Sequence, residues 1–246
     1  MTEIKLYDKF EKSTCVLCGE ELLVLEKPIT TVCDYCGKRG ITSHQCVAEH
    51  YICNECLEGT ANEFIKNECI QYSGHDPIEL AIKLMNNPKI RMHGAEHHFL
   101  VPAVMTAIMH NKDNSFPDLS TELNNLDNLI QNNAPKQCSL EAGSCGAAIG
   151  SGLFVKEYLK NRYPDVKLQE FSDYVTNETI REIDEIGLSR CCKRDTYLSL
   201  EVTAQFLNDN FSMNLPVAEP KCTFSMRNKS CGREDCPFFN LANDIG

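Results

Sequence analysis

The sequence predicts an α+β protein with a small zinc-ribbon-like module over residues 1–60 and a mainly α-helical, cysteine-rich domain over 61–246. Three observations predict it. Four Cys/His pairs at metal-ligand spacing crowd between Cys15 and Cys56. Apolar residues then recur at helical intervals, punctuated by capping residues. Finally, Cys138, Cys145, Cys191, Cys192, Cys222, Cys231 and Cys236 follow in the helical part, too many to be incidental.

Composition narrows the function classes. The 246 residues carry a net charge of −11 and a 42% hydrophobic fraction. A core is therefore available. The acidic balance disfavours a nucleic-acid or membrane-surface binder, which would show a basic footprint. The opening Met1-Thr-Glu-Ile-Lys has no apolar signal segment, and no stretch has the apolar length of a membrane helix. A cytoplasmic protein is expected. Thiol pairs there point to metal or catalysis rather than disulfides, and fifteen cysteines is an odd number for a closed disulfide framework.

The N-terminal pairs are Cys15-x2-Cys18-Gly, Cys33-x2-Cys36-Gly, Cys46-x3-His50 and Cys53-x2-Cys56. A Cys-x2-Cys-Gly turn lets two thiolates converge on one ion, and zinc is the natural occupant. A cross-braced scheme joins Cys15, Cys18, Cys46 and His50 at one ion and Cys33, Cys36, Cys53 and Cys56 at the other. A sequential scheme closes one ribbon from the first two pairs and another from the last two. His44 is an alternative to His50. Closed sites of this kind are structural.

Helical signals begin after Leu57, where Ala61, Phe64, Ile65 and Cys69 share one stripe, with Cys69 a core residue. Asp76-Pro77 reads as an N-cap and first helical position, and Asn86-Asn87-Pro88 ends that helix. Val101 to Met109 is an apolar helix core. The Asn-rich residues 111–136 read as a connector or lid with one exposed helix near Leu123–Leu129. Thr176 reads as a capped helix start, and Gly187 as a helix end before the next helix.

Four stretches carry candidate chemistry. In Met92-His93-Gly94-Ala95-Glu96-His97-His98, His93 and His97 are four apart, but Gly94 weakens a helix through them. A metal ligand, a general base and a hydrogen-bonded helix start are all compatible with it. Gly143-Ser-Cys145-Gly146-Ala-Ala-Ile-Gly150-Ser-Gly152 places Cys145 at a helix start, while its small residues equally suit tight helix packing. Arg190-Cys191-Cys192-Lys193-Arg194-Asp195 sets two thiols among three cations near another helix start, where a thiol's pKa is lowered. Cys222-x8-Cys231-x4-Cys236-Pro237 can reach one metal centre, though its spacing matches neither a ferredoxin run nor an RNA-binding finger.

In order, the CxxCG knuckles, the HGAEHHFLVP stretch, the GSCGAAIGSG helix start, the RCCKRDTYLSL segment and the closing CPFF run resemble a prokaryotic family of unknown function. Some of its members are fused to SAM-dependent methyltransferases. The resemblance spans roughly Cys15 to Phe239 and implies a methyltransferase as one kind of protein partner. It implies no established activity.

The expected function is that of a cytosolic metalloprotein with structural zinc and a second metal or iron–sulfur centre. That centre would draw on Cys145, on Cys191 or Cys192, and on part of the Cys222, Cys231 and Cys236 triad. Its work would be sulfur or redox chemistry. Arg190, Lys193 and Arg194 would bind a small anionic substrate, and His97 or Asp195 would move protons. The competing reading is a non-enzymatic zinc-binding adaptor for a protein partner.

Overall fold

The computed structural model describes residues 14–114, 118–136, 145–160, 162–163, 166–216 and 219–240. It is mixed α+β and mostly helical, with one two-stranded sheet and the N-terminal cysteines gathered around it. Strands β1 (Leu22–Val32) and β2 (Arg39–Cys46) pair antiparallel, with Leu22 opposite Cys46 and Val32 opposite Arg39. A short helix α1 (Asn54–Leu57) follows. Seven longer helices come next: α2 (Ala61–Gln71), α3 (Pro77–Met85), α4 (Glu96–Asp113), α5 (Leu119–Asn133), α6 (Gly146–Lys160), α7 (Leu168–Ile186) and α8 (Cys192–Phe211). Two 3-10 turns, Ser225–Arg227 and Arg233–Asp235, shape the tail.

The knuckles depend on glycine. Gly19 and Gly37 follow Cys18 and Cys36 with φ of 80° and 73°, a conformation that favours glycine. Their N–H groups donate to the Cys15 and Cys33 carbonyls, closing each turn around its thiols. The first knuckle, just before β1, touches the helical body at Met92 N–H to Val16 O and at the Lys229–Glu20 ion pair.

The helical body is arranged around α4. From Glu96 to Met109 every residue is buried, and α2, α3, α5, α6 and α8 all pack against it. A helix apolar on all sides has no face to give to water and becomes the centre of a bundle. The α3 cap is as the sequence predicts: Asp76 accepts from the Ile78 and Glu79 N–H groups, and Pro77 follows. Cys69 is fully buried on α2.

Two helices differ from expectation. Helix α5 is part of the bundle rather than an exposed connector, because Leu119, Leu123, Leu126 and Ile130 form a buried stripe behind its asparagines. Helix α7 begins at Leu168, so Thr176 lies in mid-helix rather than at a cap. The buried Val175 and Thr179, with Phe171 packed alongside, continue one apolar face through it.

The small residues of α6 are packing residues. A Cβ on Gly150 would lie 2.5 Å from the His98 carbonyl oxygen, and one on Gly152 would lie 2.5 Å from the Ser172 carbonyl. Helices α4 and α7 therefore approach α6 at backbone contact. Gly150→Ala should lower the urea midpoint by an amount equivalent to about 1–3 kcal/mol. An unchanged midpoint would show that the helices do not approach so closely.

Candidate metal centres and the buried polar hub

The hairpin brings the four N-terminal pairs into two groups. Cys15 and Cys18, just before β1, meet Cys46 at the end of β2 and His50. Cys33 and Cys36, in the turn between the strands, meet Cys53 and Cys56 at the start of α1. This is the cross-braced scheme. A strap from Asp34 fastens it, its N–H donating to the Tyr51 carbonyl and its carboxylate accepting from the Tyr51 N–H.

Distances fit a tetrahedral ion. Ligand atoms 2.3 Å from a central zinc stand about 3.8 Å apart. Cys18 and Cys46 sulfurs are 3.5 Å apart, Cys36 and Cys53 sulfurs 3.6 Å, and the Cys15 sulfur is 3.7 Å from His50 Nδ1. Backbone N–H groups point at the thiols, from Ala48 to Cys46 and from Cys53 to Cys33. Burial opposes ionisation of Cys33, but N–H groups of Cys36, Cys53 and Tyr35 pull its thiol down to about 7. Either group could hold a metal ion. The donor sets, three thiols with one imidazole in the first group and four thiols in the second, suit zinc.

The C-terminal thiols divide differently from expectation. Cys191, Cys222, Cys231 and Cys236 line one cavity with Arg194, Tyr197 and Asn228. Cys191 is the N-cap of α8, and the other three come from the tail wrapped over that helix end. Each sulfur faces an N–H donor. Asn228 Nδ2 lies 3.5 Å from Cys191, Phe224 N 3.4 Å from Cys222 and Arg233 N 3.4 Å from Cys231, and the Phe238 N–H serves Cys236. The Tyr197 hydroxyl is buried and has no partner among the described residues.

Cys145 and Cys192 are not on that wall. Cys192, one residue into α8, is buried. Cys145 stands at the start of α6, half-buried, with the Asp195 carboxylate and Cys192 near enough to act on its thiol. Cys138 lies outside the described residues.

The charged run expected to receive substrate is largely turned inward. Lys193 is 1% exposed; its Nζ donates to the Met85 and Ile90 carbonyls and sits over the Phe224 ring. It ties the end of α3 to α8. Arg194 pairs with Asp195 at 3.0 Å, both side chains buried, and donates to the Ser189 carbonyl. Burial pushes Asp195 up to about 6, with Arg194 pulling the other way. Arg190 is half-buried and near enough to His98 and Asp195 to act on both. The reason for the difference is that α8 is buried on every side over Cys192–Leu200, so its charges serve the interior.

His97 is likewise a strut rather than an accessible base. Nδ1 meets the Thr196 hydroxyl at 2.9 Å, and Nε2 meets the Arg91 carbonyl at 3.1 Å. Burial, then the nearby Lys193 charge, pushes it down to about 3. Glu96 forms a two-pronged pair with Arg91, 3.1 Å at Nε and 2.9 Å at Nη2. His93 lies before α4, so the spacing to His97 is not a helix-face pair.

Sequence reasoning missed Tyr197, Asn228 and His98. The first two lie close in sequence to Cys191 and Cys231, but nothing local distinguishes them from core residues. His98 sits in the histidine-rich stretch, where His97 drew attention by its spacing to His93.

Fold and donor sets define a class: a helical, cysteine-rich protein with two four-residue groups able to hold metal ions. Residues 65–239, well over half the chain, match the Family of unknown function (DUF5714), and the chain belongs to that family. No curated protein and no solved structure matches it. The matched segment begins after the N-terminal groups and contains the whole C-terminal cavity. No helix among the described residues is long and apolar enough to cross a membrane.

Two expectations follow. Cys33→Ala should lower zinc content, read by metal analysis, and open residues 14–60 to protease. Retention of full zinc would contradict the grouping. His97 folds neutral with a pKa far below the unfolded value of about 6.5, so the unfolded chain takes up a proton first on acidification. Stability should therefore be lost as pH falls from about 6.5 towards 3, by up to about 1.4 kcal/mol per pH unit from this group. Urea midpoints at pH 7 and pH 5 should fall less steeply in His97→Gln than in the wild type.

Proposed function

We propose that this chain is a cytoplasmic metalloprotein in which residues 1–60 form a module holding two structural zinc ions and the helical body holds an iron–sulfur cluster. Cys191, Cys222, Cys231 and Cys236 are its ligands. The cluster serves sulfur or redox chemistry on a small anionic molecule. The observation that carries the reading is the convergence of four thiols, one from the start of α8 and three from a tail thirty or more residues further on, around one cavity.

Spacing favours a cluster over a single ion. Among the described residues, only the two N-terminal groups have three or more ligand atoms within 4.8 Å of one another. No three C-terminal thiols crowd within that distance, which leaves room for a cluster in which each thiolate binds a different iron. Their N–H donors match the hydrogen bonding that stabilises cluster sulfurs and tunes their potential. Arg194 on the same wall offsets thiolate charge, and Tyr197 would donate to a sulfur. When bound, the cluster would supply one-electron transfer, its four thiolates leaving no open iron. The chain's own residues shield it from water and fix its ligands.

A non-enzymatic adaptor is the second reading. It is favoured by Ile41, 75% exposed on the hairpin, and by Val32, whose strand partner Arg39 lies on the same face of β2 as Ile41. A protein partner such as a methyltransferase would cover that face. The net charge of −11 disfavours nucleic acid.

Anaerobically purified protein should be coloured and contain iron besides zinc. Cys222→Ala and Cys191→Ser should lose iron and visible absorption while keeping zinc. Cys192→Ser and Cys145→Ser should keep both. Colourless wild-type protein with zinc alone would favour the adaptor.

A further inference from the structure

We propose that Cys36 is a modification site for low-molecular-weight disulfides, and that its reaction, completed by Cys53, releases the metal of the second N-terminal group while the first group keeps its own. The inference rests on the reading of both groups as zinc sites and extends it to how one of them is controlled.

The two groups share a pairing scheme but not an environment. In the first, Cys15, Cys18 and Cys46 are 6%, 5% and 1% exposed. The helical body covers that knuckle. Met92 N–H donates to the Val16 carbonyl, and a Cβ on Gly19 would lie 3.5 Å from His93 Cδ2. The second knuckle is open. Cys36 is exposed, as are Asp34, Tyr35, Gly37 and Lys38 around it. A Cβ on Gly37 would meet no atom within 4 Å. Among the described cysteines, Cys36 alone is exposed.

Access decides which thiol begins the reaction. In thiol–disulfide exchange the attacking sulfur must reach a sulfur of the incoming disulfide, which protein packing denies to an enclosed thiol. The reaction also needs a second thiol to complete it. The Cys53 sulfur is 3.6 Å from that of Cys36, and Cys53 is 9% exposed. It is close enough to finish the exchange and too enclosed to start it. The first group has no exposed thiol, and its fourth donor, the His50 imidazole, cannot join a disulfide.

In the first step the Cys36 thiolate attacks one sulfur of the small disulfide. A mixed disulfide forms, and the other half leaves as a thiolate with the electron pair. The Cys53 thiolate then attacks the Cys36 sulfur, the Cys36–Cys53 bond forms, and the second half leaves as a thiolate. Two protein thiolates are oxidised by two electrons, and one small disulfide is reduced to two thiolates. The metal loses two of its four donors and departs as the divalent ion. The event falls where the module meets the helical body, because the Tyr35 hydroxyl accepts from Asn87 Nδ2 at 3.2 Å on the loop after α3.

Glutathione disulfide tests this on the full-length, metal-loaded protein under anaerobic conditions. Released zinc is measured in the filtrate, and disulfides are mapped by peptide mass spectrometry after free thiols are blocked. One of the two zinc ions should be released, together with a Cys36–Cys53 disulfide. Cys36→His keeps three thiols and one imidazole, the donor set of the first group, and should slow release by at least about tenfold. Full retention of zinc, a first disulfide that lacks Cys36 or Cys53, or release from Cys36→His as fast as from the wild type would overturn the proposal. If Cys36→His does not hold the second zinc, the disulfide map of the wild type decides alone. Zinc content before treatment separates this inference from the reading beneath it. Two zinc ions present and none released sinks the exchange and keeps the zinc sites; no zinc before treatment sinks both.

Discussion

The first turns of α8 impose the strictest constraint on this molecule. From Cys192 to Leu200 every residue is buried, yet the run contains Lys193, Arg194, Asp195, Thr196 and Ser199. Charges out of water are tolerated only when paired and hydrogen-bonded. Each therefore dictates the position of another segment. Lys193 fixes the end of α3 and the loop after it, through the Met85 and Ile90 carbonyls. Thr196 fixes His97 and with it the start of α4. Arg194 and Asp195 fix each other.

The same helix start joins two chemically distinct places. On one side the tail folds back so that Cys222, Cys231 and Cys236 meet Cys191, the N-cap of α8. On the other, Gly146 at the beginning of α6 lies against the His98 ring. Asp195 lies between, acting on Cys145, Cys191 and Cys236. A buried polar layer of this kind, once satisfied, holds its members in one arrangement. That rigidity suits the positioning of reactive groups, and it explains why charges that look like a surface anion site are interior.

The N-terminal module works by different physics. Its hairpin exposes Leu23, Val24, Val32 and Ile41, and its buried residues are mostly thiols. So small an apolar core is weak support for a fold of that size, and metal ions held by the two groups would supply the missing folding energy. The helical body has the opposite balance, with a continuous apolar core around α4.

Much of this was determined by sequence alone, wherever the cause is local. The CxxCG turns depend on adjacent residues, so the eight residues of the two N-terminal groups were legible from spacing. The α3 cap and the α8 start were legible for the same reason. Pairing of the knuckles was not, because both schemes use the same turns and only the hairpin register decides which ends meet. The α5 stripe was visible in principle, but its asparagines outweighed four apolar residues until α4 provided a surface for them. The vicinal thiols could not be separated by sequence, since a helix turn of about 100° per residue sends Cys191 and Cys192 apart only once the helix start is fixed. Tertiary structure alone decided that Cys145 stands apart from the cavity of the tail thiols, and that Lys193 points into the core. Those outcomes depend on which distant carbonyls and sulfurs a buried group can reach, and distance across a fold is not written in any local pattern of residues.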